Sequence, residues 1–224
     1  MQKYFFLLLQ SINLSNMNRF LREGLFIVLA AVVMTSCNCN NEQATNTADN
    51  MKKDAIETIM TRTSIRSFTD HAVAADTIEA ILRAGMAAPT AVNLQPWHFV
   101  VVNDRAKLDE LAGNGRQSKM LQEAPLAIVV CGDTTKTLEG PGEAFWIQDC
   151  SAATENILLA AHALGLGAVW TGCHPIEERV AMVKQVLNMP ENLIPLCVIV
   201  MGYPNEQPAP KDKWKPENVT YNTF

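Results

Sequence analysis

The sequence has no long run of lysine and arginine, and its formal charge is −5. Broad electrostatic binding of nucleic acid, which needs a positive face to neutralise phosphates, has no basis in such a chain. A small anion can still meet a local basic cluster. Aromatic residues make up 7% of the chain and its 11 glycines and 11 prolines are ordinary numbers, so fibrous and disordered classes do not fit. No G-x-x-x-x-G-K-[ST], H-E-x-x-H or G-x-S-x-G occurs, which leaves phosphoryl transfer, zinc proteolysis and serine hydrolysis without support.

The six cysteines give no disulfide framework. Cys131, Cys150, Cys173 and Cys197 are far apart and three of them lie in apolar segments, so they read as buried thiols. Cys37 and Cys39 form C-x-C, but no second cysteine or histidine pair follows at zinc spacing, and no metal site is expected. His71, His98, His162 and His174 are scattered, and the adjacent Cys173 and His174 point in different directions, as neighbouring residues usually do. The G-x-G at Gly165 and Gly167 ends a helical pattern instead of opening one, which is capping and not a dinucleotide fingerprint.

What is present begins with an N-terminus unlike the rest. Arg19 and Arg22 precede an apolar run from Leu25 to Met34, followed by small residues and Cys37, the layout of a secretory signal. At about 1.5 Å per residue, that run is roughly 15 Å long as a helix, against the ~20 residues that a spanning helix requires. The ending M-T-S-C resembles the lipobox of bacterial lipoproteins, which makes Cys37 the expected lipidation site; an ordinary cleaved signal with a chance cysteine is the alternative. Residues 1–36 are thus expected to be a signal peptide, with 1–16 as an upstream extension. Residues 37–53, polar and without periodic apolar positions, read as a flexible tether. The expected location is a lipid anchor on a bacterial membrane, facing the periplasm or the cell exterior.

From Asp54 to Phe224, with 48% hydrophobic residues in the whole chain, one folded domain is expected. Periodicity predicts helices over 54–60, 76–86, 105–112, 144–164 and 176–187, the fourth apolar round much of its circumference and therefore central or in an interface. Strands are predicted over 97–102, 126–131, 167–170 and 193–201. The alternation implies an α/β or α+β sandwich around one mixed sheet. The tail from Pro204 is proline-rich and reads as an extended arm.

One short segment, TRTSIRSF from Thr61 to Phe68, concentrates two arginines and four hydroxyl side chains. Alone it could be a solvated surface turn or an anion site. Its company includes A-P-T-A-V-N-L-Q-P-W from Ala88 to Trp97, the strand G-L-G-A-V-W from Gly165 to Trp170, and P-A-P-K-D-K-W from Pro208 to Trp214. This ordered set resembles the nitroreductase family of FMN-dependent, homodimeric oxidoreductases over essentially all of 54–224. The resemblance implies a three-layer sandwich with a mixed central sheet and long central helices, assembled as an intertwined homodimer.

For the residues, the resemblance implies that Arg62, Thr63 and Ser64 meet the FMN phosphate and ribityl chain, with Lys211 and Lys213 adding charge from the terminal arm. Many relatives carry arginine where Lys213 stands, so a point charge replaces a bidentate fork here. Arg66 is expected at the pyrimidine edge of the flavin, supported by Lys119, with Arg116 or Gln117 nearby. Pro89, Thr90 and Asn93 match a turn contributed by the partner subunit, and Trp170, Thr171 and Gly172 match a strand end beside the hydride-carrying atom. Phe145 and Trp146 are expected to influence acceptor choice. No side-chain acid is obligatory, because the cofactor carries the chemistry. The implied activity is ping-pong hydride transfer from NAD(P)H to an electron-poor acceptor. The alternatives are reductive dehalogenation or flavin breakdown on the same fold, and a lipid-anchored binder of a phosphorylated ligand without turnover.

Overall fold

The structure is a computed structural model and describes residues 55–113 and 118–224. The signal, the tether, Cys37, Arg116 and Gln117 lie outside the described residues. Four strands, β1 (Trp97–Val102), β2 (Leu126–Asp133), β3 (Gly167–Gly172) and β4 (Leu193–Gly202), form one sheet in the order β1-β2-β4-β3. All three pairings are antiparallel. The mixed sheet expected from the sequence is therefore antiparallel in its named strands, and the parallel character is confined to an isolated bridge between Ser64 and Ala168. β2 and β3 run in the same direction, but β4 lies between them and is antiparallel to both, so no two neighbouring named strands are parallel.

Among the described residues there are six helices: α1 (Ala55–Thr61), α2 (Ala75–Met86), α3 (Arg105–Ala112), α4 (Ser118–Glu123), α5 (Phe145–Ala163) and α6 (Glu177–Leu187). Alternate residues of a strand face opposite sides, and β2 divides accordingly. Leu126, Ile128 and Val130 join Ile81 of α2 and Cys150, Ala153 and Ile157 of α5 in one core. Ala127, Val129 and Cys131 join Leu108 and Leu111 of α3, Leu121 of α4 and Val183 of α6 in the other. The result is a three-layer sandwich, and a strand wet on neither face reads as a continuous apolar run, LAIVVC in β2 and LCVIVM in β4.

The helix ends have local causes. Asp104 caps α3, its carboxylate accepting from the Lys107 N–H at 3.0 Å. Gly165, at φ +80°, turns the chain out of α5 towards β3, a backbone state that glycine adopts without steric penalty. In β4, Leu196 is an extra residue, since Val130 pairs with Cys197 while Cys131 pairs with Pro195. Its carbonyl accepts from the N–H of Cys173 at 2.9 Å and of His174 at 3.2 Å, so this bulge pins the chain where it leaves β3.

Candidate functional site

The segment Arg62–Phe68 lies along the edge of β3, and its alternation puts it there. Ile65 donates its N–H to the Ala168 carbonyl at 3.1 Å, and its side chain is 7% exposed. It stands over Gly167, where a β-carbon would come within 2.7 Å of Ile65 Cβ, so only glycine permits this approach. Phe68 is buried too, bridging to Pro204. Burying two such side chains contributes about 1.5–3 kcal/mol each, and it leaves the flanking Ser64 half-buried and Arg66 exposed.

Two clefts open along this segment and meet at Arg66. The first, about 700 Å³, gathers Arg62, Thr63, Ser64 and Arg66 with Lys211 and Lys213 of the terminal arm. Glu155 of α5 and Asp212 also line it. Glu155 Oε1 lies 3.4 Å from Arg62 Nε, with the arginine side chain 18% exposed. Four cations against two carboxylates leave two positive charges, the complement of a phosphomonoester at about −1.5 to −2. The donor set, a guanidinium, hydroxyls and ammonium groups around a cleft of this size, fits a phosphate with an attached polar chain.

The second cleft, about 720 Å³, brings Arg66 together with Lys119, Trp170, Thr171 and Gly172, all singled out in the sequence, and with Arg179 and Glu206, which were not. Glu206 Oε1 accepts from the backbone N–H of both Arg66 and Ser67, the latter at 3.2 Å, so the arm clamps the segment from outside. Lys119 reaches Glu123 at 3.6 Å, and Glu123 also accepts from Ser67 Oγ at 3.2 Å. The Thr171 hydroxyl is committed to the Val198 carbonyl at 2.7 Å, so what Thr171 offers the cleft is backbone. Arg179 Nη1 donates to the Gly172 carbonyl at 3.1 Å.

Other expected residues lie elsewhere in the chain. Pro89, Thr90 and Asn93 line neither cleft. They form a turn with three non-glycine residues at positive φ, Val92 (42°), Asn93 (61°) and Gln95 (52°). It is held by Ala91 N–H to Asp149 Oδ1 at 3.0 Å, by Gln95 N–H to Thr90 Oγ1 at 3.2 Å and by Gln95 Nε2 to Asn93 Oδ1 at 3.1 Å. Of the expected acceptor pair, Phe145 is 43% exposed, but Trp146 is 6% exposed. Trp146 packs across Gly132 and edge-on to His174 at 5.0 Å, where it is a core residue. Helical spacing explains the difference, because Trp146 falls on the face of α5 that carries Cys150 and Ala153 into the core.

Glu155, Asp149 and Glu206 escaped the sequence reading because each acts through a contact distant in the chain, and Arg179, bonded to Gly172 seven residues before it, escaped it too. Only Arg179 leaves a trace, as a cation in the first turn of a helix, where the macrodipole disfavours it. The cysteines behave as expected. Burial pushes the thiol of Cys150 to about 12, that of Cys197 to about 12 and that of Cys173 to about 11, the last against the pull of the nearby Arg179. Burial also raises Cys131 far above its ordinary range. None is a thiolate nucleophile near neutrality.

Comparison with known proteins accounts for this arrangement. The Nitroreductase family model matches residues 59–115 and 108–203. The chain belongs to the nitroreductase family. Among curated relatives, a Methanothermobacter thermautotrophicus protein with the provisional name NADH dehydrogenase/NAD(P)H nitroreductase is 47% identical over 169 residues, 75% of this chain and 86% of the relative. A crystal structure of a Bacteroides thetaiotaomicron protein with the same provisional name is 44% identical, with a TM-score of 0.72 over 77% of this nitroreductase-family chain and 99% of that one. A Desulfovibrio desulfuricans protein, provisionally a nitroreductase and solved in complex with FMN, is 32% identical, with a TM-score of 0.68 over 77% and 99% of the two chains.

Proposed function

We propose that two copies of this chain hold FMN in their shared interface and carry hydride from NAD(P)H to an electron-poor acceptor, a nitroaromatic or a quinone, in a ping-pong cycle. The chain is an NAD(P)H-dependent flavin oxidoreductase of the nitroreductase family, and FMN is its cofactor. The observation that carries the reading is the pair of clefts joined at Arg66, one basic enough for a phosphate and the other lined by the strand end Trp170–Gly172.

Bound FMN supplies a two-electron relay, so that with a nitroaromatic the net reaction is NAD(P)H + H⁺ + ArNO₂ → NAD(P)⁺ + ArNO + H₂O. The chain supplies position and field. Arg62, Ser64, Lys211 and Lys213 grip the phosphate through charge-assisted hydrogen bonds. Arg66 and Lys119 place positive charge where the ring is most stabilised in its anionic form, which raises its reduction potential. The backbone of Trp170–Gly172, which lines the second cleft, would meet the hydride-carrying side of the bound ring.

The second copy accounts for residues that one chain leaves unused. Pro89, Thr90 and Asn93 stand away from the clefts, and Phe145 is open to solvent. Ile56, Ile59 and Met60 of α1 and Trp214, Tyr221 and Phe224 of the arm are exposed apolar groups that a wrapped dimer would cover. The sequence pattern at Cys37 supports a lipid anchor and a location facing the periplasm or the cell exterior. The test is anaerobic addition of NADH and of NADPH to the purified, FMN-loaded protein, followed by an acceptor panel, with sedimentation to give the assembly state. Flavin absorbance that neither nicotinamide bleaches would refute the enzymatic reading, and a monomer that binds FMN fully would refute the shared site.

A further inference from the structure

The second cleft holds one cation more than a flavin edge calls for. Arg66, Lys119 and Arg179 converge there. Lys119 has Glu123 as a counterion at 3.6 Å. Arg66 has no carboxylate on its side chain among the described residues and donates to the Ser64 carbonyl at 3.4 Å, while Glu206 is taken up by backbone N–H groups. Arg66 and Lys119 suffice for the single negative charge of a reduced flavin.

Arg179 remains, with no carboxylate paired to it among the described residues. Two features set it apart from an incidental surface arginine. It sits in the first turn of the 11-residue α6, behind Glu177 and Glu178, where the helix macrodipole opposes a cation. Its guanidinium is also held in place, since Nη1 is bonded to the Gly172 carbonyl, which leaves the rest of the fork turned to a cleft edged by Trp170 and Gly172. A pre-oriented fork loses little further freedom when it takes a planar anion.

We propose that Arg179 makes this cleft selective for acceptors that carry a carboxylate, or a comparable fixed negative charge, beside the reducible group. The proposal rests on the oxidoreductase reading above and adds the charge class of its substrate. Arg179 is a docking residue for the substrate and takes no part in hydride movement, so its removal changes which acceptor is reduced and spares reduction as such.

The test compares para-nitrobenzoate with para-nitrobenzamide, which are nearly the same shape and differ in charge, on the FMN-loaded protein at saturating nicotinamide. The ratio of their kcat/KM values is measured in the wild type, Arg179→Gln and Arg179→Lys. A purely structural role of the contact to the Gly172 carbonyl would affect both acceptors alike. The ratio is expected to fall about tenfold or more in Arg179→Gln, the scale of one lost charge-assisted hydrogen bond, and to be largely kept in Arg179→Lys. In parallel, calorimetric titration with benzoate should show binding that weakens in Arg179→Gln and survives in Arg179→Lys. An unchanged ratio with unchanged benzoate binding overturns the proposal, as does a loss shared equally by both acceptors. Should the loaded protein reduce neither acceptor, the oxidoreductase reading fails, and the benzoate titration alone decides: loss in Arg179→Gln upholds Arg179 as an anion site, and unaltered binding overturns it.

Discussion

Replacing Arg62 by alanine is expected to weaken FMN binding far more than riboflavin binding, and the structure sets the scale. Arg62 is 18% exposed, its Nε edge lies against Glu155 at 3.4 Å, and it shares a cleft with Ser64, Lys211 and Lys213. Because Glu155 engages Nε, the terminal nitrogens stay available for the phosphate. A hydrogen bond to a charged group is worth about 1.5–3 kcal/mol net, and each 1.4 kcal/mol is tenfold in affinity, so Arg62→Ala should raise the FMN dissociation constant about ten- to 150-fold. A second effect has the same sign. Without its partner, Glu155 becomes an uncompensated negative charge in the phosphate cleft, half-exposed and therefore partly screened. The substitution should then do less harm in a Glu155→Gln background. Quenching of flavin fluorescence, titrated with FMN and with riboflavin at two salt concentrations, measures all of this. Equal losses for the two flavins, or no loss with FMN, would show that Arg62 does not hold the phosphate.

Lys213→Arg should tighten FMN binding by a few-fold, because a planar fork can hold two phosphate oxygens where an ammonium presents a point charge; a dissociation constant that does not move would argue that the arm keeps Lys213 out of reach. Trp146→Ala should cost about 3–5 kcal/mol of stability by emptying a core site, whereas Phe145→Ala should leave the melting temperature near wild type and change acceptor kinetics. Unaltered kinetics across the acceptor panel would remove Phe145 from the site. Burial by itself would raise the carboxyl of Asp133, but hydrogen bonds from Thr135 and Asn192, with Lys136 nearby, outweigh it and bring it from 3.8 down to about 2. With the folded value depressed, the stabilisation is complete above about pH 4, disappears as pH falls through about 2, and amounts to about 2 kcal/mol. Urea unfolding from neutral pH to pH 2 should show Asp133→Asn with a flatter acid limb; parallel curves would contradict the assignment.

Local periodicity was enough to place β1 and α3 residue for residue, and to find β2, β4 and α5 within two residues at either end. β2, β4 and α5 are long or almost wholly buried, while β1 and α3 are short but bounded by clear turn and cap residues. Helix α4 was missed because six residues with mixed polarity carry too little of a 3.6-residue pattern to register. The expectation of a mixed sheet differs from the antiparallel pairing for another reason: which strands become neighbours depends on where each lands in the sheet, and no stretch of β3 or β4 records that.

The candidate site shows the same division between local and distant information. Arg62, Ser64 and Arg66 were legible because they share one short segment, which the buried Ile65 and Phe68 tie to the sheet edge. Lys119, Trp170 and Gly172 came into view through the resemblance to the family and meet Arg66 in the second cleft. Glu155 and Glu206 could not be read at all, since an acid that orients an arginine or clamps a backbone leaves no pattern in its own neighbourhood. Sequence thus identified the groups that line the clefts better than the groups that hold those in place.

The turn Thr90–Gln95 joins these threads. A β-branched residue in the left-handed region costs about 1–2 kcal/mol, yet Val92 takes φ 42° with its side chain 75% exposed. Inside one chain the return is limited: three hydrogen bonds to side chains, one of them to the buried Asp149, two backbone turn bonds, and no apolar cover for the valine. Backbone strain of this kind persists when surrounding contacts over-determine it. On the proposed dimer those contacts come from the second copy, which would bury Val92 and bring Thr90 and Asn93 up to the flavin that the partner's Arg62 segment holds. Relief of the turn, burial of the valine and completion of the cofactor site then become one event, so FMN affinity and dimer affinity should rise and fall together across variants of this turn.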